Sequence, residues 1–166
     1  FIVGAVFELY IAIDERGARV DICNAEKGGR YFCPICHGSV IVREGKLNIK
    51  HFAHKCAECV DDWHYDMSEW HRHMQGFFPE RAREVVVENG GKRHRADILI
   101  GNSVIEFQHS SITASEFSDR NNFFIGLGYR IAWVFDVTEQ YENGRLFRKI
   151  DDDRLLFIWK NPMRVF

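Results

Sequence analysis

The stretch RADILIGNSVIEFQHSSI, residues 95–112, decides how the rest of the chain is read. Two apolar runs, ADILI and VIEFQ, flank a GNS turn containing Gly101 and Asn102, so the stretch reads as a β-hairpin. Asp97 opens the first run. Glu106 and Gln108 share one face of the second, while Ile105 and Phe107 take the other. Across an antiparallel pair Asp97 can meet that polar face. Two carboxylates brought together in a largely apolar sheet repel each other unless a cation sits between them. Oxygen donors with retained waters suit Mg2+ or Mn2+, and such an ion acidifies a bound water and neutralises charge growing on a phosphodiester. The pattern therefore suggests hydrolytic nuclease chemistry, although the same spacing taken alone is more often a solvated strand face.

Working outward, TASEFSDRNNFFIGLGY (113–129) reads as a helix capped by Thr113 or Ser115 and closed near Gly126 or Gly128. The strand RIAWVFDV (130–137) follows. Upstream, Trp70, Met74, Phe77 and Phe78 recur at helical spacing, which predicts a helix with an apolar face. Gly90-Gly91 then separates two β-rich runs. The expected order is αβββαβ, with YENGRLFRKI (141–150) and LLFIWK (155–160) as a terminal hairpin or edge strands. Ahead of this lie VFELYIAI (6–13) and ARVDICNA (18–25), a hairpin turning at Gly17, and a second hairpin signal at REGK (43–46). The expected organisation is a mixed α/β (α+β) chain, with a β-rich module over residues 1–62 and a core over residues 63–166.

Composition narrows the class. With 166 residues, 46% apolar residues and 14% aromatic residues, the chain reads as globular. Its 22 Lys plus Arg against 24 Asp plus Glu argue against nucleic-acid binding by bulk charge. No run reaches the roughly 18 apolar residues of a membrane span. The opening residues read as a strand rather than a signal peptide, so a cytoplasmic location is expected. In that setting Cys-x-x-Cys pairs point to metal or redox chemistry.

Cys33 and Cys36 form one such pair, and Cys56 and Cys59 a second, with His51 and His54 between them. Six candidates thus compete for the four positions of a tetrahedral zinc site. In an extended strand the two histidines point to opposite faces, so at most one is expected to bind. A redox reading needs a βαβ context, which the residues around Cys33 lack. Cys23 reads as a lone core thiol. The zinc would hold together a module too small to fold on apolar burial.

Other candidates surround the acidic hairpin. Glu69 is either a third carboxylate or, in the pattern Asp66-x-x-Glu69, half of a capping box. Arg93 and Arg95, just before Asp97, and Arg120, on the following helix, are candidate phosphate contacts. Trp63 is a candidate base-stacking platform, whereas Trp70 and Trp133 read as core. His64, His71 and His73 are candidate proton shuttles near Glu69.

The segments YFCPICHGSV, HFAHK with a downstream Cys, SEWHRHMQ, HRADILI, VIEFQHSSI and DRNNFFIGLGYRIAWVFD together resemble the competence protein CoiA-like family. That resemblance implies a PD-(D/E)XK, restriction-endonuclease-like nuclease core with an N-terminal zinc-binding region. It implies metal-binding roles for Asp97 and Glu106, with Gln108 in the motif lysine position. Glu69 falls in the family's helix, with His71 at its histidine. For zinc it favours Cys33, Cys36, His54 and Cys59, with His51 and Cys56 as alternatives. Met67, Gln75 and Ala96 depart from the family pattern. The expected function is a metal-dependent deoxyribonuclease with catalytic Mg2+ or Mn2+ and structural Zn2+, acting on DNA with a partner protein or a further domain of a longer chain. The alternative is a catalytically inactive DNA- or protein-binding module that keeps the fold and the zinc.

Overall fold

The computed structural model describes residues 8–45, 50–55, 68–144, 146–151 and 154–159, and the chain divides into two compact units, residues 1–101 and 102–166. The expected boundary near residue 62 lies outside the described residues.

The first unit begins with short strands rich in β-branched and aromatic side chains: β1 (Glu8–Leu9), β2 (Ile11–Asp14), β3 (Arg19–Asp21), β4 (Tyr31–Phe32), β5 (Ser39–Arg43) and β6 (His51–His54). They form one antiparallel sheet in the order β1-β6-β5-β4-β2-β3. The β2–β3 turn is the expected hairpin: Gly17 takes φ 79°, and Asp14 Oδ1 accepts from the backbone N–H groups of Arg16 and Ala18 at 2.9 Å each. The β5–β6 pairing also holds, from Val40↔His54 to Arg43↔His51. Leu9, Ile22, Cys33, Ile35, Val40 and Phe52 are buried together in one apolar cluster, with the Tyr31 ring 5.0 Å from that of Phe52.

The same unit continues with α1 (Glu69–Gly76), β7 (Arg83–Asn89) and β8 (Lys92–Ile100). Gly90 and Gly91 both take positive φ, 56° and 81°, as a two-residue type I′ turn requires, and they set Asn89 opposite Lys92. Ser68 caps α1 by accepting from the His71 N–H at 3.2 Å. Glu69 is therefore the first helical residue rather than the third, and Asp66 lies outside the described residues.

The inward face of α1 differs from expectation. Its buried residues are His71 and Gln75, Trp70 and Met74 are half-buried, and Phe77 is 69% exposed. The helix answers buried charge on β7 and β8, and that requirement outweighs its apolar spacing. Cys23 likewise departs from the core-thiol reading: it is exposed, with an Arg72 guanidinium nitrogen 2.7 Å from its sulfur.

The second unit holds β9 (Ser103–Gln108), α2 (Ala114–Gly126) and β10 (Arg130–Phe135). β10 runs parallel to β9, from Arg130↔Ser103 to Phe135↔Gln108, so α2 is the crossover that parallel pairing demands. Thr113 caps α2, accepting from Glu116 N–H at 3.2 Å, and Gly128 follows its end at φ 83°. A short helix α3 (Thr138–Glu142) was not expected, because five residues are too few to show a period. The terminal hairpin, β11 (Leu146–Asp151) with β12 (Arg154–Trp159), pairs as the sequence suggests. Among the described residues no helix is long and apolar enough to cross a membrane.

Candidate functional site

In the first unit, Asp97 sits on β8 and is 2% exposed, with its Oδ1 3.0 Å from His71 Nε2. The Gln75 amide lies 3.2 Å from the same ring nitrogen, one helical turn along α1. Arg95, two residues before Asp97, is also buried, and its guanidinium reaches Glu84 Oε2 at 3.4 Å. The same oxygen accepts the backbone N–H of Ile11 at 3.2 Å. His71, Glu84, Arg95 and Asp97 thus form two acid–base pairs shielded from water. Burial alone lowers the His71 pKa, but attraction and hydrogen bonding to Asp97, with help from Glu84, raise it above its ordinary value. Burial raises the Glu84 carboxyl; Arg95 and His71 oppose that without cancelling it.

Glu84 was not foreseen. It stands at φ 47°, a left-handed conformation that costs a β-strand residue about 1–3 kcal/mol and persists only where the surroundings enforce it. The visible hint is an acid beside VVV, where a strand buried on one face carries polar groups only for a reason. Arg95 and His71, read as phosphate contacts or shuttles, instead face inward onto carboxylates. Glu69 is exposed at the start of α1. Arg93 bonds Glu88 at 2.8 Å and also contacts the Ile35 carbonyl at 3.3 Å and His37 at 2.9 Å.

In the second unit, Glu106 on β9 is fully buried, and its Oε2 lies 3.4 Å from Arg120 on α2. Arg120 also bonds Glu116 at 2.7 Å, and its guanidinium lies 6.0 Å from the Trp133 ring. Gln108 donates to the Ser110 carbonyl at 2.7 Å. Just beyond it, His109 Nδ1 lies 2.8 Å from Asp136 Oδ2, while Thr138 holds Asp136 Oδ1 through its N–H at 3.0 Å and its hydroxyl at 2.7 Å. Burial would raise the Asp136 carboxyl, but the Thr138 hydrogen bonds and His109 bring it below its ordinary value. This pair had no signal in the sequence, since the parallel register alone brings residues 108 and 135 together.

Cys33, Cys36 and His54 converge, their ligand atoms all lying within 4.8 Å of one another, and Cys36 Sγ is 3.3 Å from His54 Nε2. Tetrahedral zinc places such donors roughly 3.5–3.8 Å apart. Backbone N–H groups of Ile35 and Gly38 point at the two sulfurs, each at 3.4 Å, as they do toward thiolates. His37 turns through φ 58° to close this knuckle. The cluster can hold a metal such as zinc. His51 lies outside it, and Cys56 and Cys59 lie outside the described residues.

Residues 15–60 match the family model for the competence protein CoiA N-terminal domain, and residues 72–165 match that for the CoiA nuclease-like domain. No curated protein and no solved structure matches the chain.

Two outcomes are expected. The purified chain carries about one zinc, and chelation lowers its melting temperature. A folded, zinc-free chain with an unchanged melting temperature would contradict this. The pH response follows from His71 and Glu84, both raised in the fold, so folding favours their protonated forms. Their contributions are present below the unfolded values of 6.5 and 4.5 and are lost as pH rises through the folded ones. Thermal melts should therefore show stability falling as pH climbs above 6.5, and His71→Gln should flatten that slope. An identical slope in the variant would refute the assignment.

Proposed function

Because the chain belongs to the competence protein CoiA family, we propose that it is a metal-dependent DNA nuclease with a PD-(D/E)XK-type core over residues 63–166 and a zinc module over residues 1–62. Asp97 and Glu106 would hold Mg2+ or Mn2+, and Gln108 takes the motif lysine position. The element order α1-β7-β8-β9-α2-β10 supports the core assignment.

The observation that carries this reading is the burial of both acids, 2% and 0% exposed. An ionised carboxylate taken out of water costs several kcal/mol, and well-packed apolar residues would often serve stability as well or better. Retaining two such groups in a nuclease-like domain is therefore best explained by use. His71 pairs with Asp97, Arg95 with Glu84 and Arg120 with Glu106, and Arg93 remains the candidate phosphate contact.

When bound, the divalent ion would acidify water and offset charge on the phosphodiester. Gln108, a neutral amide, can orient that water by hydrogen bonding but cannot stabilise hydroxide as a lysine would. Water supplies the oxygen that joins phosphorus, and the departing sugar oxygen takes up a proton. Cys59 would complete the zinc set of Cys33, Cys36 and His54. The engagement of Gln108 by Ser110 favours a second reading, an inactive DNA- or protein-binding module.

Incubation with single- and double-stranded DNA in Mg2+, Mn2+ or chelator separates the two. Cleavage should need the metal and fall at least about a hundredfold in Asp97→Asn and Glu106→Gln, with folding retained on circular dichroism. Unchanged cleavage in both variants would overturn the mechanism, and salt-sensitive DNA binding without turnover in either metal would establish the inactive module.

A further inference from the structure

Among the described residues, Glu84 is the one acidic side chain with a buried oxygen that no hydrogen-bond donor reaches. Its Oε2 is occupied by the Ile11 N–H and by Arg95, and its Oε1 is left bare although the residue is 1% exposed. A bare buried carboxylate oxygen is costly, so a site that retains one is poised for a partner.

The β7–β8 register shows where Glu84 stands. Arg83 pairs with Ile98 and Val85 with Ala96, so position 84 falls opposite position 97 in an otherwise uninterrupted count. Only there does the ladder lapse, at the left-handed backbone of Glu84. No residue is inserted, because the register is the same on both sides. The distortion instead re-aims one side chain, as irregular strand residues beside functional sites commonly do. Both His71 and Asp97 act electrostatically on the Glu84 carboxyl, which places all three groups in one neighbourhood.

We propose that Glu84 is a third carboxylate ligand of the divalent-cation site that contains Asp97. The inference rests on the reading of Asp97 as a metal ligand, and it gives the third-acid role to β7 rather than to Glu69 on α1. The donors fit: a hard divalent ion prefers carboxylate oxygens, and Glu84 Oε1 is a buried one that no donor occupies. Arg95 then becomes a positioning residue, holding Oε2 so that Oε1 stays directed elsewhere.

The test is Mn2+ binding to the zinc-loaded full chain, followed through the electron paramagnetic resonance signal of free Mn2+. Glu84→Gln and Asp97→Asn should each weaken binding at least about tenfold, while Glu69→Gln leaves it within about twofold. Wild-type affinity in Glu84→Gln alongside loss in Asp97→Asn would overturn this inference and leave the Asp97 reading standing. Wild-type affinity in Asp97→Asn would sink that reading, and the inference with it. Because altering a buried acid can unfold a chain, the unmodified protein supplies an independent measurement. Fe2+ with ascorbate and peroxide cuts backbone beside a bound ion, and cuts are expected near both residue 84 and residue 97. Cuts near 97 with none near 84 would refute the role of Glu84.

Discussion

A carboxylate removed from water must be given a positive partner, and this single constraint organises the chain. Glu84, Asp97 and Glu106 are each almost wholly buried, and each is answered from within its own unit, by Arg95, His71 and Arg120. Removing one member of such a pair costs about 3–5 kcal/mol, because the other is left charged and unpaired. That penalty explains why α1 turns a histidine and a glutamine inward, why α2 buries an arginine, and why β7 accepts a left-handed residue. Ordinary hydrophobic packing would have favoured the opposite choice at each place.

The N-terminal sheet takes part in this arrangement. Its β2 supplies the Ile11 N–H that holds Glu84, and its cysteine knuckle presents the Ile35 carbonyl and His37 to Arg93 at the tip of β8. A metal on Cys33, Cys36 and His54 would fix the shape of that knuckle. Stability of the small sheet and order around Asp97 are thus linked through hydrogen bonds as well as through covalent succession.

Much of this was legible in the sequence. Gly17, Gly90-Gly91 and Thr113 mark turns and a cap through backbone chemistry that few other residues supply, and the alternation in VIEFQ separates the face of Glu106 from that of Phe107. The cysteine spacing named the metal cluster, and the opposed faces of HFAH left room for one histidine. What escaped depends on contacts distant in sequence. Trp70, Met74 and Phe77 promised an apolar helix face, yet Asp97 calls His71 inward. Arg95 and Arg120 look like surface cations until their acidic partners are known. Glu84 is hidden because neither its left-handed backbone nor its cross-strand position can be read from REVVV alone. His109 meets Asp136 only through a parallel register.

The proposed function turns on whether Asp97 and Glu106 act as ligands of a hard cation. Anomalous diffraction from crystals of the zinc-loaded chain soaked in Mn2+ tests it most directly. If they do, manganese is found with carboxylate oxygen from these residues in its coordination sphere. Manganese confined to exposed acids such as Glu69, with the Asp97–His71 and Glu106–Arg120 pairs intact, would contradict it.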